Sequence, residues 1–336
     1  MYRVILDIVG RETDWGNGMI AYIVRRLLQG ILVLIIVTIF IFLVMRLLPG
    51  DPLMLFVAQS QIENISPAGL AQLRHQFGLD ASLPVQYLRW IGGALLGDLG
   101  FSIFVREHVS TLVAQRLPIT IHLGVMSMMI SCIFGITFGV ICAIRRGKWA
   151  DTLFTLLANL GITAPSFWVG VVLMYFFGLK LNILPIQGYT SPFEDFWLSI
   201  RQVLMPVLCL SFFSLASLTR QARSSTLEVV RQDFIRTAWA KGLSERIIVI
   251  KHIIKNSLIP VVTILGMQVG FIFGGSVLIE TVFNIPGMGR MMRDAVFSQD
   301  FQVVQSGVLI ISAVVVLTNI AVDMSYGWLD PRIRYE

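Results

Sequence analysis

Charged side chains are scarce in this sequence of 336 residues. Asp, Glu, Lys and Arg together account for 14% of the residues, whereas hydrophobic residues account for 56%. A soluble domain carries about 25% charged and about 45–50% apolar residues. The mean hydropathy of +0.78 and the grouping of apolar residues into long blocks therefore exclude most soluble folds. They predict an integral membrane protein.

Catalytic and metal-binding signatures are absent from the sequence. It has no G-x-x-x-x-G-K-[ST] loop, so it lacks that device for holding a nucleotide phosphate. The three cysteines have no C-x-x-C spacing and the four histidines are scattered, so no zinc-ligand pattern exists. Neither G-x-S-x-G nor H-E-x-x-H occurs. We therefore expect no catalytic residue, cofactor or metal site in this chain.

Six apolar blocks are long enough to cross a bilayer, whose core of about 30 Å requires about 20 helical residues. The first begins only at Leu27 and is too long for a signal-peptide core, so we expect a retained span. Gly161 and Pro165 predict a kink within the third block. The fold class is therefore predicted to be all-α, a polytopic membrane protein with about six transmembrane helices. The blocks are roughly 27–48, 117–143, 152–179, 202–219, 258–280 and 303–323.

The basic residues predict which loops face the cytoplasm, because Lys and Arg accumulate on that side of membrane proteins. They precede the first span, follow the second and crowd residues 220–256, while the loop 181–200 has none. Six spans with both termini in the cytoplasm satisfy this distribution. The same rule accounts for the net charge of +6, so we expect membrane lipid rather than nucleic acid as a partner.

These assignments divide the chain into parts. Within the long loop after the first span, apolar patterns at 66–77 and 84–96 predict short amphipathic helices, which would form a small extracytoplasmic helical domain. The predicted parts are a cytoplasmic segment 1–26, the first transmembrane helix 27–48, an extracytoplasmic loop 49–116, a core transmembrane domain 117–323 containing the cytoplasmic loop 220–256, and a cytoplasmic tail 324–336.

A few polar side chains lie within the apolar blocks. Arg46, Glu280 and Asp323 lie near the ends of spans, where we expect them to extend towards the membrane surface. His122 lies about one turn inside the second span, and we expect it to make a polar contact within the protein. Carboxylates at mid-span, which are more typical of a proton-coupled carrier, are missing.

The cytoplasmic loop 220–256 shows two helical patterns separated by a bend at Gly242. Ser244 is placed to cap the second helix from about Glu245, and Pro260 opens the next span. The pattern alone fits either a helix lying on anionic lipid or a docking surface for a partner protein, and we favour docking because the pair leads directly into a span. The first predicted apolar face comprises Ile235, Ala238, Trp239, Gly242 and Leu243, and the second Ile247, Ile250 and Ile254.

The segment Asp233-Phe234-Ile235-Arg236-Thr237-Ala238-Trp239-Ala240-Lys241-Gly242-Leu243 resembles the cytoplasmic loop of permease subunits in bacterial ABC importers, most closely the dipeptide/oligopeptide/nickel branch. Arg236 and Thr237 replace the glutamate and alanine of the broader family. Further segments that resemble this branch are Pro49-Gly50-Asp51-Pro52, Gly97-Asp98-Leu99-Gly100, Glu280-Thr281-Val282-Phe283 with Ile285-Pro286-Gly287-Met288-Gly289, and Leu329-Asp330-Pro331-Arg332.

The resemblance implies the type I importer permease fold and a role as a permease subunit that forms half of a pathway for short peptides. It implies a homologous second permease, two cytoplasmic ATPases that hold ATP and magnesium, an extracytoplasmic substrate-binding protein, and the bacterial inner membrane as location. Nickel or another metal chelate and glutathione stay open as substrates, and a homomeric secondary carrier or channel is a more remote alternative. The implied coupling residues are Phe234, Ile235, Arg236, Thr237, Ala238, Lys241 and Gly242, and the candidate pathway or gate residues are Gln268, Gly274, Glu280, Asn284 and Pro286.

Overall fold

The computed structural model describes residues 15–47, 69, 71–72, 75, 80–102 and 104–329. Several features predicted above lie wholly or partly outside the described residues. They include the cytoplasmic segment 1–26, the helix 66–77, the segment Pro49-Gly50-Asp51-Pro52, and the tail beyond Leu329.

Helices make up most of the described residues. A two-residue antiparallel ladder pairs Phe101 with His108 and Ser102 with Glu107. The elements in chain order are α1 (Trp15–Leu47), α2 (Leu83–Leu95), β1 (Phe101–Ser102), β2 (Glu107–His108), α3 (Val109–Ile144), α4 (Trp149–Thr163), α5 (Ser166–Leu173), the π-helical segment π1 (Met174–Lys180), α6 (Phe196–Val230), α7 (Asp233–Ala240), α8 (Glu245–Ile247), the π-helical segment π2 (Ile248–Ile254), α9 (Lys255–Ser257), α10 (Ile259–Val282), α11 (Met288–Phe297) and α12 (Phe301–Leu329).

Five of the described helices, α1, α3, α6, α10 and α12, are long and apolar enough to cross a membrane. A sixth span exists if α4 and the α5–π1 segment form one broken span, with a bend of 107° between them. The break lies at Ala164, whose backbone is extended, because a following proline disfavours helical geometry in the residue before it. The kink predicted from Gly161 and Pro165 is therefore confirmed, as a sharp break.

All five of these helices extend beyond the predicted apolar blocks. Helix α1 begins at Trp15, inside the predicted cytoplasmic segment 1–26, and α12 continues to Leu329, inside the predicted tail. Helix α3 begins at Val109 rather than near residue 117. Helix α6 has 35 residues where the sequence predicted a short span at 202–219; at 1.5 Å per residue it measures about 52 Å, more than a bilayer core needs. Residues 220–230, predicted as loop, are thus the last turns of α6. Hydropathy missed them because the polar ends of α6 are held by packing rather than by lipid.

Helix α6 lies at the centre of the bundle and packs against α3, α4 and α10. The crossing with α3 is close because Gly135 and Gly139 carry no side chain there: a Cβ atom at Gly139 would lie 2.6 Å from both the Ala222 Cβ and the Thr219 carbonyl oxygen. Small residues let transmembrane helices approach in this way and gain dispersion energy that lipid cannot supply. The close approach fixes α3 and α6 relative to each other.

Helix α1 packs mainly against α12 at the side of this bundle. Gly30 faces Val316, and the Arg26 Nε lies 3.1 Å from the Asp323 carboxylate in an ion pair. Asp323 was expected to extend towards the membrane surface; in the structure its carboxylate bridges the two helices instead. The Arg46 guanidinium lies over the Phe42 ring, at 5.3 Å from the ring centroid.

We expect Gly139→Ala to destabilise the protein by about 1–3 kcal/mol, because the new methyl group overpacks the α3–α6 crossing. The measurement is the melting temperature of the purified full chain in detergent. Gly270→Ala is the matched control, since a Cβ atom at Gly270 meets nothing within 4 Å. Equal melting temperatures for the two variants would contradict the close crossing.

Candidate coupling helix and gate

Helix α7 is anchored by two buried side chains. Ile235 and Ala238 are 1% and 6% exposed, and they pack with Ile248 and Ile253 of π2. Burying an isoleucine side chain contributes about 1.5–3 kcal/mol. This small apolar cluster therefore holds α7 and the following segment together as one unit.

The other residues of α7 are exposed. Phe234 and Trp239 are 45% and 51% exposed, and the Arg236 side chain makes only a 3.5 Å pair with the exposed Asp233 carboxylate, a type of ion pair that contributes little. Trp239, which the sequence places on the same apolar face as Ile235, is exposed, whereas Ile235 is buried. The exposed surface of α7 is apolar and basic, and the buried Ile235 and Ala238 hold it in place. Such a surface suits contact with another protein.

The bend after α7 occurs at Gly242, as predicted. Its φ of +74° lies in the left-handed region that favours glycine. Ser244 takes the cap position of α8, but its hydroxyl makes no capping bond. Its carbonyl oxygen instead accepts from the amides of Ile247 and Ile248. The expected side-chain cap is therefore wrong, although the expected helix start is confirmed.

The second apolar face also differs from the prediction. Ile248 and Ile253 are buried, whereas Ile247 and Ile250 are 46% and 56% exposed. The cause is the π-helical conformation of π2, in which hydrogen bonds join residues five apart. Residues at i and i+5 then share a face, and α-helical spacing selects the wrong ones.

This segment leads into α10 with little interruption. The amide of Leu258 donates to the Ile254 carbonyl at 3.0 Å, and the amide of Val262 donates to the Leu258 carbonyl at 3.0 Å. Pro260 lies in the first turn of α10, as predicted, where its missing N–H costs nothing. A displacement of α7 can therefore reach α10 along helical backbone.

At the far end of α10, Glu280 is fully buried. Its carboxylate accepts from the Thr120 hydroxyl at 2.6 Å and from the Arg290 amide at 2.8 Å. The Thr120 oxygen accepts in turn from the Met288 amide at 2.8 Å. These amides belong to the first turn of α11, where free N–H groups and the helix dipole favour an anion. The expectation that Glu280 extends towards the membrane surface is wrong, because this network satisfies it inside.

Residues 283–287, the gate turn, connect α10 to α11 around this carboxylate. Asn284 has a φ of +53°, and Arg116 of α3 donates to the Pro286 carbonyl at 3.2 Å. A Cβ atom at Gly287 would overlap the Glu280 carboxyl group, so only glycine fits there. The sequence analysis named Glu280 and Pro286 as candidates and quoted Gly287 in the motif around them, but it missed Thr120.

The candidate pathway residues on α10 fall on different faces. Gln268 is 2% exposed and donates to the Ser214 carbonyl of α6 at 3.3 Å. Gly274 is exposed and has nothing within 4 Å of a Cβ position. It shares the exposed face with Phe271 and Leu278. The structure therefore does not bring Gln268 and Gly274 together. A pathway along α10 would run past the exposed face that contains Gly274, not past Gln268.

His122 makes the polar contact expected of it. Its Nδ1 lies 3.0 Å from the Tyr189 hydroxyl. Burial, with a smaller effect from Glu194, raises the pKa of the Tyr189 phenol above its ordinary value, so the hydroxyl stays protonated at neutral pH. The neighbouring Gly188 amide donates to the Phe283 carbonyl at 3.3 Å. The loop before α6 is thus attached to both α3 and the gate turn.

The family models and the similar proteins all describe membrane components of transport systems. Residues 135–335 match the family described as binding-protein-dependent transport system inner membrane component, and residues 19–124 match the description of its N-terminal part. The probable peptide ABC transporter permease protein y4tP of Sinorhizobium fredii is 39% identical over 94% of this chain and 99% of that protein. The glutathione transport system permease protein GsiC of Salmonella typhimurium is 39% identical over 95% of this chain and 100% of that protein.

Among solved structures, an inward-facing conformation of the MetNI methionine ABC transporter contains a similar chain. The TM-score is 0.51 at 16% sequence identity, and the match covers 65% of this chain and 96% of that chain. This likeness is one of fold.

We expect Glu280→Ala to destabilise the protein by about 3 kcal/mol, because two buried donors lose their acceptor. Glu280→Gln should cost less, since one carbonyl oxygen remains. Melting temperatures of the full chain in detergent measure both effects, with the exposed Glu194→Ala as the control. If Glu280→Ala melts at the same temperature as Glu194→Ala, the carboxylate does not hold the gate turn.

Proposed function

Because this chain belongs to the family of binding-protein-dependent transport system inner membrane components, we propose that it is the permease subunit of an ABC importer for short peptides and couples to ATPases through α7. Its long apolar helices and its type I importer permease fold agree with this family. The observation that carries the coupling proposal is the exposed surface of α7, which the buried side chains of Ile235 and Ala238 hold in place.

The proposed mechanism follows from the helical connection between the two ends of α10. Cytoplasmic ATPases bind the exposed Phe234, Arg236 and Trp239 and move α7 when they close on ATP. The cluster of α7 with π2 carries this movement into α10. The Glu280 network then carries it into the gate turn and α11. ATP and magnesium are bound by the partner subunits, and this chain supplies no catalytic residue.

Short peptides are the proposed substrates. Two relatives that align over nearly their whole length are named for peptide and for glutathione transport, and glutathione is itself a small peptide. Glutathione is therefore the second candidate. Neither of these names points to nickel or another metal chelate.

The proposed complex contains a homologous second permease, two ATP-binding subunits and an extracytoplasmic substrate-binding protein. Both termini and α7 lie on the cytoplasmic side, supported by the basic residues around α7, and the gate turn lies outside. We propose that the exposed face of α10 contacts the second permease, because large apolar side chains alternate there with glycines that leave room for a partner helix. This face comprises Met267, Gly270, Phe271, Gly274 and Leu278.

We expect the double substitution Phe234→Ala and Trp239→Ala to lower ATP-driven peptide uptake at least about tenfold, because exposed aromatic residues dominate binding at such surfaces. Insertion and melting temperature should not change, since both side chains are about half exposed. Phe193→Ala is the control, because Phe193 is 98% exposed in a different loop. Undiminished uptake by the double variant in reconstituted vesicles would contradict the coupling role of α7.

A further inference from the structure

A cavity of about 410 Å³, lined by both polar and apolar side chains, lies between α4 and α6. On α4, Asp151, Thr155 and Asn159 recur every four residues, which places them on one face of that helix. Thr155 and Asn159 line the cavity, and across it α6 contributes Arg220, Arg223 and further polar residues. The mechanism proposed above uses none of these side chains.

The lining of this cavity is basic. Three arginines and one glutamate line it, and the Asp151 carboxylate pairs with Arg223, which leaves one net positive charge among Arg220, Arg231 and Glu228. Among the described residues, Arg220 and Arg231 have no ion-pair partner, and both are exposed. The cavity therefore offers two guanidinium groups without an ion-pair partner to an anion.

One arginine is held in a fixed orientation. The Arg223 Nε and Nη2 donate to the two oxygens of Asp151 at 2.8 and 3.1 Å. Asp151 is 7% exposed and also accepts from the Gly147 amide at 3.0 Å. This bidentate pair ties α4 to α6 and forms one wall of the cavity.

The surroundings of the cavity point to lipid. The other face of α4 exposes Leu153, Leu156, Leu157 and Leu160, each between 43% and 58%. The apolar part of α6 ends at Thr219. The arginines follow directly after it, on the proposed cytoplasmic side. Apolar side chains beside a basic, hydroxyl-lined cleft match the acyl chains and the phosphate of a membrane lipid.

We propose that this cavity binds the phosphate headgroup of an anionic phospholipid from the cytoplasmic leaflet. Arg220 and Arg231 attract the phosphate, and the side chains of Asn159 and Ser224 bind the remaining headgroup oxygens. The acyl chains lie along the exposed leucines of α4. A bound lipid would brace the junction between α4 and the end of α6 that leads to α7.

The test measures lipid occupancy by native mass spectrometry on the full chain, purified with its accompanying subunits and titrated with phosphatidylglycerol. The double variant Arg220→Gln and Arg231→Gln should bind about thirtyfold more weakly, since each basic residue contributes about fivefold at an anionic surface. Glu228→Gln removes the opposing charge and should strengthen binding about fivefold. The control variant, Arg145→Gln with Arg146→Gln, alters basic residues outside the lining and should change binding less than twofold.

Several outcomes would overturn this proposal. An equal loss in the control would show general attraction of the basic surface for anionic lipid. Equal occupancy by phosphatidylcholine would show that the charge is not recognised. Displacement of the lipid by millimolar inorganic phosphate would show a soluble-anion site, and displacement by a dipeptide would place the cavity in the transport pathway. Since the variants change exposed side chains, unaltered melting temperatures without lipid verify that they fold.

Discussion

The buried carboxylate of Glu280 is the interaction on which one end of the helix bundle depends. It lies at the last turn of α10 and accepts from Thr120 of α3 and from the first turn of α11. A buried charge is costly unless hydrogen bonds satisfy it, and here the free amides of a helix start supply them. The gate turn cannot move away from α10 without breaking this network. The motif Pro286-Gly287 follows from the same constraint, since a larger residue at position 287 would overlap the carboxyl group.

The two ends of α10 are therefore held in different ways. At one end, a small apolar cluster joins α7 to π2 and leaves the rest of α7 exposed. At the other, a polar network joins α10 to α3 and α11. Between them, α6 packs closely on α3 through Gly135 and Gly139. This arrangement suits the transfer of movement, because packed interfaces shift as units rather than deform continuously.

Local signals predicted the features that depend on single residues. Pro165 marked the break after α4, Gly242 the bend after α7, and Pro260 the start of α10. Features that depend on distant contacts were missed. Thr120 and Glu280 are 160 positions apart, so no local pattern joins them.

Hydropathy and periodicity failed for related reasons. The polar ends of α6 are helical because neighbours hold them, although lipid-like composition stops near Thr219. The α-helical period selected Ile247 and Ile250, whereas a π-helix buries Ile248 and Ile253. Nothing in the residue types of that segment marks the change of period. The predicted coupling residues thus include both the buried side chains of α7, Ile235 and Ala238, and its exposed ones.

The most direct test of this account is the distance between α7 and the gate turn during the transport cycle. Spin labels at the exposed positions Lys241 and Asn284, in a chain whose native cysteines are replaced, report that distance by double electron–electron resonance in the assembled importer. Rigid transmission along α10 predicts the same narrow distance distribution without nucleotide and with ATP bound, while the distance from Asn284 to the second permease changes. A shift or broadening of the distance within the chain on ATP binding would contradict the account.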